Sequence, residues 1–337
     1  MTDWKDSLNG REKDRLRKTS MPEKVEPMLA TLTEDYFSKE DWLFEPKLDG
    51  ERCLTFHDGK STNLYSRKPR LLNKTYPELR DALEEQSLSF VADGEVVAFE
   101  GDVTRFSRLQ KRMQIRDEDE ARASDIAVYY YLFDLLYLDG YDLSDLPLRT
   151  RKRLLRDVIE FSDPVRFTRH RDEEGEKFLE EACKNGMEGV IAKDAESPYR
   201  KGRSRKWLKF KCVNQQELVV VGYTDPEGER TGFGSLVLGY YRQGKLCYAG
   251  RVGTGFDEDT LEFLHEKLQK RERKTSPLDE GGEEGTQGVH WVKPELVAEI
   301  GFTEWTEDGR LRHPRYLGLR DDKAPEDVTR EQTGDGS

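Results

Sequence analysis

A lysine set among carboxylates, Glu45-Pro46-Lys47-Leu48-Asp49-Gly50-Glu51-Arg52, is the stretch of this chain whose residue types speak most directly of chemistry. A lysine amine at its ordinary pKa of ~10.4 is protonated at neutral pH and cannot attack an electrophile. Partial desolvation, or another cation nearby, lowers that pKa and frees the lone pair. On this reading Lys47 is a nucleophile, Asp49 a metal ligand, Gly50 the turn, and Arg52 a clamp for phosphate or ribose. Apolar Trp42-Leu43-Phe44 leads in and Cys53-Leu54-Thr55-Phe56 leads out, which predicts strand, tight turn, strand. Taken alone, the same residues fit a charged surface hairpin, so the rest of the chain has to decide.

Four further stretches bear on it. Phe90 to Phe99 alternates like a strand around Asp93-Gly94-Glu95, although Asp-Gly also serves hairpin turns. Tyr129 to Tyr137 reads as a buried strand. Glu188-Gly189-Val190-Ile191-Ala192-Lys193 has a carboxylate at its head and a lysine at its tail. Strict alternation puts Glu188, Val190 and Ala192 on one face and Lys193 on the other. In Tyr199 to Lys211, basic residues interleave with aromatics. Period two sends Trp207, Lys209 and Lys211 to one face and Leu208 and Phe210 to the other. Two lysines converging on one phosphate would offset charge that develops during transfer.

The elements that must position these residues are legible in outline. Amphipathic helices are expected over 77–88, 106–113, 148–161, 175–184 and 258–270. Residues 1–24 are charged and broken by Asn9-Gly10 and Met21-Pro22, so they read as a charged tail or short helix. A catalytic domain is expected over 25–213 and a strand-dense domain over 214–324. The loop 274–288 is charged and expected to be mobile, and 325–337 is expected to be a disordered tail. Five strands with one inserted helix suggest an OB-type barrel for the second domain. The expected class is α+β, with helices and antiparallel sheets in the first domain and a β-barrel in the second.

Composition narrows the classes. The chain has 337 residues, a net charge of -12 and 37% charged residues, and no apolar run approaches the ~20 residues of a membrane span. Cys53, Cys183, Cys212 and Cys247 lie far apart with no C-x-x-C pair, which argues against a zinc site and a disulfide framework and for a reducing cytosol. The acidic total runs against a simple nucleic-acid binder, but basic residues gather at 67–70, 105–116, 200–211 and 310–323. A surface segregated in this way can bind phosphate locally.

Lys47-x-Asp49-Gly50-x-Arg52 resembles the active-site motif of covalent nucleotidyltransferases, including DNA ligases, RNA ligases and capping enzymes. Ser66-Arg67, Asp93-Gly94-Glu95, Phe133-Asp134-Leu135-Leu136-Tyr137-Leu138-Asp139-Gly140, Glu188 to Lys193, Lys209-x-Lys211 and Arg320-x-Asp322-Lys323 follow in the family's order. Over residues 25 to 324 the chain resembles the ligase module of bacterial and archaeal non-homologous end-joining ligases, the D type. Where many relatives continue Ser-Arg with Asn-Gly, this chain has Lys68-Pro69.

The resemblance implies an ATP-grasp-like nucleotidyltransferase domain followed by an OB-fold domain. It implies that Lys47 attacks the α-phosphate of ATP to form a lysyl-AMP, with Mg²⁺ or Mn²⁺ held by Glu188, Asp49 and Glu95. Glu45 lies where relatives contact adenine, and Phe133 stacks on the base. Glu95 and Arg52 hold the ribose, and Arg67 meets the 5'-phosphate of the nick. Lys209 and Lys211 contact the α-phosphate, while Arg320 and Lys323 orient the pyrophosphate. AMP then passes to a 5'-phosphate in nicked or broken duplex DNA and a 3'-hydroxyl displaces it, the OB domain rotating between steps. A cytoplasmic, nucleoid-associated monomer is implied, with a Ku-type end binder and separate polymerase and nuclease as partners. Two rivals stand beside this: an RNA ligase or capping enzyme, and an idle OB-containing DNA binder.

Overall fold

A computed structural model of the chain describes residues 3–212, 214–226, 228, 231–281, 288–306 and 308–331. It forms two compact units that part after Cys212.

The first unit is built as helix, sheet, sheet, helix. Its larger sheet is eight-stranded, with Glu51–His57, Phe90–Glu100 and Val128–Leu138 adjacent and antiparallel at its centre. One face of it is covered by the helices Pro77–Glu84, Phe106–Met113 and Leu148–Val158 through Leu79, Leu83, Phe106, Leu109, Met113, Leu154 and Leu155, all buried. The smaller sheet has five strands, with Trp42–Pro46, Gly189–Asp194 and Gly202–Lys211 side by side. Its outer face packs Phe44, Val190, Ala192, Leu208 and Phe210 under the helix Gly175–Lys184. The inner faces of the two sheets share a cluster of Leu54, Phe56, Val91 and Phe133 with Met28, Tyr199 and Trp207. Burial of alternate residues on both sides fixes the register, because a one-residue slip would turn every side chain to the wrong face.

The second unit is a curled antiparallel sheet. Asn214–Thr224, Leu236–Arg242, Lys245–Val252, Val289–Phe302 and Arg315–Leu319 carry its core, and the helix Glu258–Gln269 falls between the third and fourth of these strands. Asp257 starts that helix by accepting a hydrogen bond from Thr260 N at 2.8 Å.

Four expectations are corrected here. The N-terminal segment takes the short-helix alternative, with a helical turn at Trp4–Ser7 and the helix Gly10–Lys13, and is docked rather than a tail: Leu8 is buried, Trp4 meets Tyr141 edge-on at 5.8 Å, and Arg17–Lys18 pairs with Tyr141–Asp142. Its few apolar residues are spaced to reach one surface, which a composition average hides. Residues 325–331 also pack: Val328 is wholly buried and Tyr241 N donates to its carbonyl at 2.7 Å. Asp93-Gly94-Glu95 is the middle of a continuous strand, which removes the hairpin alternative. Cys183 and Cys212 form a disulfide with their Cα atoms 5.2 Å apart, because the end of the helix Gly175–Lys184 abuts the end of the strand Gly202–Lys211. Cys53 and Cys247 are buried free thiols. Residues 282–287 of the loop expected to be mobile lie outside the described residues, as do 332–337 of the expected tail. Among the described residues, no helix is long and apolar enough to cross a membrane.

Candidate active site

Trp42–Pro46 delivers Lys47. The strand's even positions pack outward with Phe44, so Leu43, Glu45 and Lys47 point inward. Gly50 makes the turn that follows. A Cβ there would lie 2.2 Å from the carbonyl oxygen of Val96, so no larger residue fits without moving backbone.

Register places the neighbours. Glu45 lies opposite Ile191, and Ile191 opposite Lys209. Lys47 N donates to Gly189 O at 2.9 Å, and Gly189 pairs with Lys211. Lys47, Lys209 and Lys211 therefore share one face of three adjacent strands, with Trp207, as period two predicts.

Glu188 departs from the simple alternation. Its carboxylate pairs with the Lys47 ammonium, so it faces inward with Ile191 and Lys193, not outward with Val190 and Ala192. Gly189 explains this. It sits at φ +149°, and a Cβ would fall 2.0 Å from Phe210 O. The backbone turns there at a residue that only glycine can fill, and the carboxylate before it swings to the other face.

Beneath the lysine lies a fully buried ion cluster. Glu45 pairs with Lys152 at 2.5 Å and with Lys193 at 2.6 Å, and none of the three is more than 2% exposed. Burial pushes the Glu45 carboxyl up, but the two lysines more than offset this and hold it below the usual carboxylate range. Burial lowers the Lys193 amine to about 8 against the opposing pull of Glu45. The Glu45 carboxylate is thus occupied by two lysines rather than open for a base.

The opposite wall comes from the larger sheet. Arg52 makes a bidentate pair with Asp93 (2.5 and 2.6 Å) and donates to Met28 O at 3.1 Å. Tyr199 Oη donates to the same carboxylate at 2.6 Å. Phe133 lies between cations, with Arg52 4.6 Å and Lys193 4.0 Å from its ring centre, and meets Trp207 edge-on at 5.9 Å. Glu95 pairs with Arg52 and Tyr131 across the strands. A cleft of about 650 Å³ is lined among others by Pro46, Tyr131, Phe167, His170 and Met187, and none of Lys47, Arg52, Phe133, Glu188, Lys209 and Lys211 lines it.

Arg67, partly exposed, follows the strand Thr62–Ser66 and makes no ion pair with a described residue. On the helix Phe106–Met113, Arg108 and Lys111 are exposed, but Arg112 is wholly buried, its Nη2 donating to both carboxylate oxygens of Glu78 at 2.9 and 3.0 Å. The three expected metal ligands are not gathered: among the described residues, no three acidic, histidine or cysteine side chains converge on a point. Asp49 instead accepts a hydrogen bond from Phe106 N at 3.0 Å, capping that helix, and Glu188 is on Lys47. In the second unit Arg320 pairs with Asp322 (2.9 Å) and Glu299 (3.6 Å), and Lys323 with Glu217 (3.0 Å).

The fold brings together an inward lysine paired with a glutamate, two more lysines on the same face and an aromatic ring opposite, groups of the kind that covalent phosphoryl chemistry on a nucleotide uses. The sequence families agree. Residues 27–211 match the ATP dependent DNA ligase domain, and residues 229–323 match the ATP dependent DNA ligase C terminal region. The chain belongs to the ATP-dependent DNA ligase family.

This ligase is 36% identical over 323 residues to the multifunctional non-homologous end joining protein LigD of Pseudomonas aeruginosa, covering 94% of this chain and 38% of that one. With LigD of Mycobacterium tuberculosis H37Rv it shares 39% identity over 313 residues, 90% of this chain and 40% of the relative. A DNA ligase of Natronomonas pharaonis is 32% identical over 320 residues, 90% of this chain and 56% of the relative. A solved mycobacterial DNA ligase D complexed with ATP and MES superposes with a TM-score of 0.65 at 36% identity, over 91% of this chain and 98% of that one. The ligase thus spans about two-fifths of the length of the LigD relatives. Its units are the nucleotidyltransferase and OB-fold domains of this family.

Sequence reasoning missed Lys152, Asp93 and Tyr199 as supports. Lys152 sits on a helix whose basic residues read as an outer face. Only its reach to Glu45 and to Thr168 O at 3.0 Å takes it inside.

Proposed function

We propose that this ligase seals 5'-phosphate/3'-hydroxyl breaks in duplex DNA through a lysyl-AMP on Lys47. The observation that carries this is the Lys47–Glu188 pair beside Lys209 and Lys211. In the first step the Lys47 ammonium gives up a proton, the Glu188 carboxylate beside it being the acceptor in reach, Nζ bonds to the α-phosphorus, and the bond to pyrophosphate breaks. Glu188 holds the amine in place, and Lys209 and Lys211 offset charge on the phosphate. Phe133 offers its face to the adenine, Glu95 and Arg52 contact the ribose, and Arg320 and Lys323 act on the pyrophosphate. In the second step an oxygen of the 5'-phosphate, met by Arg67, takes the AMP and the Nζ–P bond breaks. In the third the 3'-hydroxyl attacks that phosphate and AMP leaves.

Glu188 would hold a Mg²⁺ or Mn²⁺ ion as a single carboxylate completed by phosphate oxygens and water; Asp49, bonded to Phe106 N, and Glu95 do not gather with it. Such an ion supplies charge that lowers the repulsion between the attacking and attacked groups.

The cellular setting is inferred from the LigD relatives, which are named for non-homologous end joining. A monomer acting on the nucleoid in the cytoplasm, with a Ku-type end binder and separate polymerase and nuclease, fits that kinship. The test is sealing of three labelled duplexes, nicked, cohesive-ended and blunt-ended, with and without an end-binding protein. Sealing of the nick alone under every condition would refute the end-joining part. Sealing of none would refute the whole.

A further inference from the structure

We infer that Glu217 and Glu299 are positioning residues for the leaving-group step, holding Lys323 and Arg320 in the poses that meet pyrophosphate. The inference rests on the proposed role of Arg320 and Lys323 and adds what sets their geometry.

Glu217 and Glu299 stand directly opposite each other, in register, on the antiparallel strands Asn214–Thr224 and Val289–Phe302. Like charges at such a position destabilise a strand pair. Neither is a rim residue: Glu299 is 6% exposed and the Glu217 side chain 16%. Their carboxylates face the two cations of the C-terminal motif. Glu217 Oε2 accepts from Lys323 Nζ at 3.0 Å, and Glu299 Oε2 lies 3.6 Å from the Arg320 guanidinium. Asp322, 2% exposed, completes the cluster with a bidentate hold on Arg320 at 2.9 Å for both bonds. Three carboxylates thus surround two cations.

The cations need such support. Arg320 and Lys323 follow the strand Arg315–Leu319 in a segment without helix or strand of its own. A backbone bond, Arg320 N to Val297 O at 2.7 Å, joins the segment to the sheet. Long, flexible side chains on such a segment lose conformational freedom when they meet a ligand. Anchoring them to acids on a rigid sheet removes that loss beforehand, as supporting side chains do in preorganised sites.

The test separates the steps of the reaction with the full chain. Glu217→Ala and Glu299→Ala, with Glu217→Gln and Glu299→Gln beside them, are assayed for formation of the covalent AMP adduct across ATP concentrations. They are assayed in parallel for sealing of a nick that already carries 5'-adenylate, which releases no pyrophosphate. The alanine variants are expected to slow adduct formation at saturating ATP about tenfold with little change in half-saturating ATP. The glutamine variants, which keep the acceptor oxygen, are expected to recover part of the rate. Sealing of the pre-adenylated nick is expected to stay within about twofold. Equal loss in both assays would make the glutamates merely structural, and unchanged adduct formation would leave them without a role; either overturns the inference. Arg320→Ala and Lys323→Ala run alongside. If these two form the adduct normally, the reading of the C-terminal motif fails, a result distinct from failure of the glutamates alone.

Discussion

Replacing Glu45 by glutamine should damage the nucleotidyltransferase domain more than any surface change, and the geometry says by how much. The substitution keeps shape but removes the one negative charge between Lys152 and Lys193, which lie 2.5 and 2.6 Å from it. Breaking a buried ion pair from one side costs about 3–5 kcal/mol, because the remaining charge is left without a partner. In a unit of some 200 residues each kcal/mol lowers the melting temperature by roughly 2–4 °C, so a fall of about 6–20 °C is expected in calorimetry at pH 7. The pH dependence adds a second handle. With its amine lowered to about 8 against an ordinary 10.5, Lys193 has shed in the folded state a proton that the unfolded chain keeps between those values. Its burden on stability is therefore full below pH 8 and fades as the pH climbs toward 10.5. Glu45 works in the opposite sense. Its lowered pKa contributes stability above the ordinary carboxylate value, and that contribution is lost as the pH falls through the folded one. In Glu45→Gln the deficit should shrink on going from pH 7 to pH 9, as Lys193 becomes neutral. Adding Lys193→Met should recover part of it. A fall of less than about 2 °C at pH 7, or a deficit that grows with pH, would refute the reasoning.

Phe133→Leu should raise the ATP concentration needed for half-maximal adduct formation about tenfold, in line with roughly 1–3 kcal/mol for a base stacked on an aromatic ring; an unchanged value would remove Phe133 from the base site. Asp93→Asn takes the charge from the bidentate hold on Arg52 and should lower nick sealing about 10–100-fold, read by gel, while Tyr199→Phe, which removes one hydrogen bond to the same carboxylate, should cost less. Reduction of the Cys183–Cys212 bridge, which spans 29 residues, should lower stability by about 2–4 kcal/mol in a urea titration, and Cys183→Ser should behave the same without reductant.

Much of the site was legible because its chemistry is carried by strands, where period two assigns faces. Trp207, Lys209 and Lys211 could be placed on one face from spacing alone, and the structure puts them there. Glu188 could not, because the rule assumes ordinary backbone and Gly189 breaks it. The commitments of side chains were equally hidden. A glutamate two residues from a nucleophile reads as a ligand, and nothing in the one-dimensional pattern brings Lys152, a helix residue more than a hundred positions away, to neutralise it. The docked ends were missed for a different reason. Leu8, with Trp4 and Leu16, and Val328 are sparse apolar anchors in charged segments, and averages over such segments report the charge. The disulfide was hidden because wide cysteine spacing says nothing about which element ends meet in space.

The account stands on Lys47 as the residue that takes the nucleotide. The most direct measurement is covalent labelling of AMP-free protein with α-labelled ATP, α-labelled GTP or adenylate-labelled NAD, with Mg²⁺ or Mn²⁺, beside Lys47→Ala. The account predicts an acid-labile label from ATP alone, mapped by peptide mass to Lys47 and absent from the variant. Label that persists in Lys47→Ala, or that comes from GTP or NAD in place of ATP, would contradict it.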